Sequence, residues 1–442
     1  MAVNKSSWMV INLVACFVRR SHTMRLIDLA LVTLLTVTLP ACARDKAAPS
    51  LGFIALGDAG LHHDWYDPDD IGYTYEELVA EERADWIEDG RPAEDFVLPP
   101  LYQVPGTDYV VEQSGQAATA AAIEQFCNSA LCEFMIVLGD NIYPDGADGS
   151  ATDQQKLMDI LVTPYDRIGR DQPDFRFYAA LGNHDWYSSR KGRDVQVAFG
   201  ASGATRYTME PPGFYRFRRG DAEFWVLDTE MLLADSVIYK DRLDAQGREI
   251  VNAELDLAPS WARPQTPEEY AQVEWLAKSM AASDANWKFV YGHHTLWSAG
   301  GTKYAEAHVL RPLLLPILCR YADAWFNGHE HDLGVFSDSC ESVLGHGNRP
   351  LPIIVSGAGA KQRAINPRFH AYQEATYPSY EGHWMKGMTW GFAHVALWQE
   401  EGAITMISTP NDQSGEPVVE YRFPLRKRSG MFDAEGALVA TN

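Results

Sequence analysis

Phe134–Tyr143 reads FMIVLGDNIY: an apolar run, a glycine, an aspartate and, three residues further on, a tyrosine. The run has the length of a buried strand, and glycine lets the turn bring backbone close to an ion or phosphate. The pattern recurs. LGFIALGDAG ends in Asp58, FYAALGNHDW in Asn183, His184 and Asp185, WKFVYGHHTLW in His293 and His294, and AWFNGHEHDL in His329 and His331. One Gly-Asp or Gly-Asn pair is ordinary turn chemistry. Five apolar runs that each pass through glycine into a metal-ligand residue are hard to attribute to turns. Side chains just past the carboxyl ends of sheet strands converge in space although distant in sequence. In FNGHEHDL, residues two apart in extended chain point to one side, so His329 and His331 can crowd one ion or serve two.

Further apolar runs of strand length lie at AEFWVLDT, PIIVSGAG and FAHVALW. Helical candidates lie between them: GQAATAAAIEQFC, TPEEYAQVEWLAKSMAAS and HVLRPLLLPILCRYA, the second opened by Thr266, Pro267 and an acidic first turn. Strands alternating with helices, then strands in closer succession, predict an α/β fold with mixed sheets and helices outside. His62 to about Gln113 is rich in Asp, Glu, Tyr, Trp and Pro and has no clear period. It reads as a long surface excursion or as a lid, with Trp65, Tyr66 and Tyr73 touching substrate.

The formal charge of −23 excludes a nucleic-acid surface, which needs concentrated Lys and Arg. A phosphate ester remains compatible with it if metal ions reverse the local potential. Residues 1–42 read as an export segment: Met24 opens MRLIDLALVTLLTVTLPACA, a basic start, an apolar middle and small residues at the end. Leu39-Pro40-Ala41-Cys42 resembles a bacterial lipobox, in which a lipidated Cys42 would attach the protein to the membrane of the cell envelope or periplasm. Cleavage after Ala43, with ordinary secretion, is the alternative. Asp28 interrupts the run and disfavours a retained membrane helix. Residues 43–50 look like a tether. The four remaining cysteines are even in number, which suggests disulfides in an exported chain. Cys127–Cys132 and Cys319–Cys340 are the favoured pairs, because each closes a short local loop.

GDAG, GDNIY, GNHD, VYGH and GHEH reproduce, in order, the five motif blocks of the calcineurin-like metallophosphoesterases. With Tyr143 the chain resembles the purple acid phosphatases, in their small tartrate-resistant branch. The likeness continues through HHTLWS, LRPLL, IIVSGAG, GFAHVAL and FPLRK. It covers residues 51–428 as a catalytic domain, with an insertion at about 62–113 and residues 429–442 as a tail.

The resemblance implies two mixed β-sheets packed as a sandwich flanked by helices. It implies that Asp58, Asp140, Tyr143 and His331 hold one metal. Asn183, His293 and His329 would hold a second, with Asp140 as bridge. Phenolate with carboxylates suits Fe(III), while imidazoles with a carboxamide suit Fe(II), Zn(II) or Mn(II). The implied reaction is acid-range hydrolysis of a small phosphate monoester by a metal-bridged hydroxide. The alternatives are a Mn- or Zn-dependent phosphodiesterase or nucleotidase and, more distantly, a non-catalytic binding protein. His184 would hydrogen-bond the phosphate and help protonate the leaving oxygen, or else serve as a supporting histidine held by Asp185. His294 would line the cleft. Small members of the family carry a further histidine as leaving-group acid, where this chain has Gly301, Thr302 and Lys303. His308 lies too far on, and His62, His63 or His383 would have to substitute from a loop.

Overall fold

The structure is a computed structural model that describes residues 48–65, 72–233, 267–300, 303–345 and 349–428. The export segment with Cys42, Tyr66, Thr266 and the 429–442 tail lie outside the described residues. All described residues belong to the unit Ala48–Asn442.

Two seven-stranded sheets form the frame. The first runs from edge to edge through Val418–Arg426, Glu401–Thr409, Trp390–Leu397, Leu51–Leu56, Phe134–Leu138, Phe177–Ala180 and Tyr207–Thr208. Its last four strands are parallel and the first three pair antiparallel. The second sheet runs through Tyr380–Lys386, Leu333–Asp338, Leu351–Ser356, Ala324–Asn327, Trp287–Tyr291, Ala222–Val226 and Tyr215–Arg219. It too has a parallel centre of four strands, with antiparallel strands outside. Leu51–Leu56 and Phe134–Leu138 are buried throughout, as parallel strands covered on both faces must be.

An aromatic core joins the sheets. The Phe53 ring of the first sheet lies 5.2 Å from Phe224, 5.7 Å from Phe289 and 6.0 Å from Phe326 of the second. Truncating such a fully buried ring typically costs about 3–5 kcal/mol. Helices Pro267–Ala281 and Tyr304–Tyr321 cover the outer face of the second sheet through Leu276, Met280, Leu310 and Leu314. Helix Gln116–Cys127 packs on the first. The sandwich and its flanking helices are therefore present as anticipated. Both disulfides form in the favoured pairing, Cys127–Cys132 and Cys319–Cys340. Among the described residues no helix is long and apolar enough to cross a membrane.

The insertion departs from the aperiodic reading. It contains helix Tyr75–Glu88 and a hairpin of Leu101–Gln103 with Val110–Glu112. The helix starts at a capping box in which Thr74 and Glu77 satisfy each other's backbone N–H groups. Trp86 is its buried residue, so hydrophobic periodicity could not reveal it. Trp65 turns inward, with Nε1 donating to Asp159 at 3.2 Å, and Tyr73 is 41% exposed beside Glu81. The cleft wall comes instead from Glu82, Asp85 and Trp86.

Candidate dinuclear metal centre

Each sheet delivers ligand-type side chains from the carboxyl ends of its parallel strands. Asp58, Asp140, Tyr143 and Asn183 follow strands of the first sheet, and His293, His329 and His331 follow strands of the second. Asp58, Asp140, His329 and His331 take left-handed backbone, with φ of 54°, 49°, 74° and 49°. Non-glycine residues rarely do so, and such local strain clusters at functional sites. Two glycines leave room for these turns. A Cβ on Gly182 would sit 2.2 Å from Asp140 Oδ1, and one on Gly328 2.3 Å from Asp58 Oδ2.

The side chains meet in two overlapping groups. In the first, the Tyr143 hydroxyl lies 2.7 Å from Asp140 Oδ2, 3.0 Å from Asp58 Oδ1 and 3.1 Å from His331 Nε2. In the second, His293 Nε2 lies 2.9 Å from His329 Nδ1, 3.1 Å from Asn183 Oδ1 and 3.3 Å from Asp140 Oδ1. Asp140 faces both groups, one oxygen to each. Asn183 Nδ2 donates to Tyr187 Oη at 2.7 Å, which turns the amide oxygen inward.

The donor chemistry fits two cations. His293 donates Nδ1–H to the Leu138 carbonyl at 2.9 Å, and His329 Nε2 lies 2.7 Å from Glu306 Oε2. His293 thus uses its outer nitrogen on a protein acceptor and presents the other to the centre, as metal-bound imidazoles do, while the outer nitrogen of His329 lies beside the Glu306 carboxylate. Glu330, between the two histidines, faces away and accepts from Ser298 Oγ at 2.6 Å.

The electrostatics point the same way. Burial raises the Asp58 carboxyl to about 7 despite the opposing effect of His293. Burial also disfavours charge on Asp140, but His293 and His184, with hydrogen bonds from His293 and Tyr143, outweigh it and hold that carboxyl well below its usual range. Burial would lower His293, yet Asp140 and Asp58 outweigh it and raise the imidazole to about 9. Burial, then the Asp140 and Asp58 charges, pushes the Tyr143 phenol well above its ordinary value. Asp140 and Asp58 therefore favour positive charge at His293, and a cation beside them would draw the proton off Tyr143.

His184 sits at the edge of the centre. Its backbone N–H donates to Asp140 Oδ1 at 3.0 Å, its Nδ1 is held by the Pro144 carbonyl, and its Nε2 lies 3.9 Å from Asp140 Oδ2. Burial lowers it to about 4. Asp185 does not hold this ring. Its carboxylate accepts from Gly182 N at 2.8 Å, Asn141 Nδ2 at 2.7 Å and Gln196 Nε2 at 3.1 Å, tying together the loops that carry Asp140 and Asn183.

His294 does not line the cleft. It is buried behind His329, its ring 4.4 Å away, with Nδ1 2.8 Å from Thr229 Oγ1. His63 is a structural residue of the insertion, stacked on Tyr102 at 3.9 Å. His383 lies 2.9 Å from Ser337 Oγ on the second sheet, and His308 contacts Arg311 and Tyr377. Sequence reasoning missed Glu306, which sits in the first turn of a helix with no spacing cue. It also missed Lys361 and Arg363, which follow the glycines of PIIVSGAG and join His331 in lining a cleft of about 380 Å³.

A calcineurin-like phosphoesterase family model matches residues 53–333. The chain is similar to tartrate-resistant acid phosphatase type 5 of Homo sapiens, 24% identical over 415 residues that span 90% of this chain and 98% of that protein. It is also similar to purple acid phosphatase 17 of Arabidopsis thaliana, 27% identical over 244 residues, 53% of this chain and 61% of that one. Among solved structures, GAP50, the anchor in the inner membrane complex of Plasmodium, aligns with a TM-score of 0.49 and 17% identity over 86% of this chain and 89% of its own.

Proposed function

The chain belongs to the calcineurin-like phosphoesterase family, and on that premise we propose that it is an acid-range phosphatase acting on phosphate monoesters. The observation that carries the reading is the Tyr143 hydroxyl, packed within 3.1 Å of Asp58, Asp140 and His331. A phenol among carboxylates makes a hard, anionic donor set suited to Fe(III), while Asn183, His293 and His329 suit Fe(II), Zn(II) or Mn(II). When bound, the two cations would supply Lewis acidity and an acidified water for hydrolysis of a phosphoryl group.

The chain's own residues would position and protonate. Asp140, shared by both donor groups, fixes their spacing. His184 keeps Nδ1–H on the Pro144 carbonyl, so its Nε2 is free to handle a proton at the ester. Burial favours the neutral ring, so the proton can arrive with the substrate. A phosphate monoester retains one below its second pKa of about 6. His184 Nε2 can accept it and return it to the leaving oxygen, which favours turnover in the acid range. Lys303, in the segment where the additional family histidine is missing, lies in the cleft wall. The two disulfides and the TLPAC stretch support the reading of an exported protein, with lipid attachment through Cys42 as part of the proposal.

The test is turnover of para-nitrophenyl phosphate and bis(para-nitrophenyl) phosphate across the acid and neutral range, alongside the visible spectrum. Preference for the monoester, an acid optimum and a visible band support the reading. Preference for the diester by a colourless protein would replace it with a divalent-metal phosphodiesterase.

A further inference from the structure

The cleft beside His331 is asymmetric in charge. One wall is the segment after strand Leu351–Ser356, where Lys361 and Arg363 flank Gln362, and Lys303 joins them from the start of helix Tyr304–Tyr321. The insertion helix adds Glu82 and Asp85, and Arg91 just after it is paired with Asp89 at 3.1 Å. The insertion also braces the basic wall. The Glu112 carboxylate accepts from Gln362 N at 2.7 Å and lies 3.5 Å from Lys361 Nζ. The two cationic side chains are tied to the metal-ligand loops. Lys361 Nζ sits 5.0 Å from the centroid of the Tyr143 ring. Arg363 donates its backbone N–H to the His331 carbonyl at 2.9 Å, and its Nη1 lies 3.4 Å from the His329 carbonyl and 3.9 Å from Glu330 Oε2, which leaves its other amino group for a ligand.

We infer that Lys361, Arg363 and Lys303 form an anion subsite contiguous with the metal centre, which selects small phosphate monoesters carrying a second anionic group, phosphate or carboxylate, a few bonds from the scissile ester. The inference rests on the phosphatase reading above. A guanidinium presents a planar fork that matches either anion, and Lys adds a mobile point charge. The cleft volume of about 380 Å³ is that of a small-molecule site. Glu82 and Asp85 line the same cleft and oppose further negative charge, so a bisphosphate is favoured over a more highly charged polyanion. On this view the insertion is part of substrate selection, through Glu112 on one side and its acidic helix on the other.

The experiment compares kcat/KM of the metal-loaded full chain on glycerol phosphate, glycerol bisphosphate, phosphoglycerate and tripolyphosphate. The wild type should favour at least one of the two doubly anionic esters over glycerol phosphate by about tenfold, the size of one charge-assisted hydrogen bond, expressed in KM. Preference for the bisphosphate identifies the second group as phosphate, and preference for phosphoglycerate identifies it as carboxylate. Arg363→Gln and Lys361→Gln should each erode that preference, and tripolyphosphate should be the poorest of the anionic substrates. Equal kcat/KM on all the glycerol compounds would overturn the subsite and leave the phosphatase reading standing. Absence of hydrolysis of every ester would overturn both. The wild-type comparison decides the matter even where a variant fails to fold.

Discussion

Replacing Asp140 by asparagine keeps the volume of the side chain and removes its charge. Oδ2 lies 2.7 Å from the Tyr143 hydroxyl, and Oδ1 lies 3.0 Å from His184 N and 3.3 Å from His293 Nε2. In metal-free protein two effects oppose. The variant loses charge-assisted hydrogen bonds, each contributing about 1.5–3 kcal/mol, and it relieves repulsion between Asp140 and the buried Asp58. The net change in metal-free stability should stay within about 2 kcal/mol. Metal-linked stability behaves differently. At a thousandfold excess over Kd, one bound ion stabilises the fold by about 4.1 kcal/mol. A hundredfold loss of affinity at each ion removes about 2.7 kcal/mol of that gain per site. The assay is thermal unfolding of stripped wild type and Asp140→Asn over a metal titration. The wild-type Tm should climb with metal, and the variant curve should be displaced to higher metal by two decades or more. Superimposed curves would refute Asp140 as a shared ligand.

Four further outcomes follow from the same geometry. Tyr143→Phe should abolish any visible absorption band and move the rate optimum toward neutrality while the fold is kept, since its ring packs on Leu61 and Ala360; an unchanged spectrum would remove the phenolate. His184→Asn should lower kcat on alkyl phosphates by about 10²–10⁴-fold, and much less on para-nitrophenyl phosphate, whose leaving group needs little protonation. His394 is pressed below its ordinary pKa, chiefly by burial and despite its 2.9 Å contact with the Leu131 carbonyl. The unfolded chain therefore binds the extra proton, and stability complete above about pH 6.5 is lost as pH falls through that value; Tm against pH should be flatter in His394→Phe. Mass spectrometry of the mature N-terminus should find a lipidated Cys42, an unmodified Arg44 would show ordinary secretion, and an intact Met1 would remove the export argument.

The parts of the fold that were legible are those buried on both faces. FMIVLG, FIALG and WKFVYG read as strands because the parallel centre of each sheet leaves no solvent side to interrupt the apolar run. Glu401–Thr409 and Val418–Arg426 were not legible in the same way. The second is an edge strand with exposed residues along its length, and pairing rather than composition makes it a strand. Helix Tyr75–Glu88 was signalled by its Thr74–Glu77 cap alone. At the site, residues that follow a strand and a glycine announced themselves. Glu306, which reaches His329 from a helix, and Glu112, which braces Lys361 from the insertion, act through tertiary contacts that leave no local pattern.

Hydrolysis of para-nitrophenyl phosphate by metal-stripped protein, followed as metal is returned in measured increments, counts the ions that catalysis needs. With a dinuclear centre the rate should be absent without metal, rise with each increment and break sharply at two ions per chain. Full activity in stripped protein, or a plateau at one ion per chain, would contradict it.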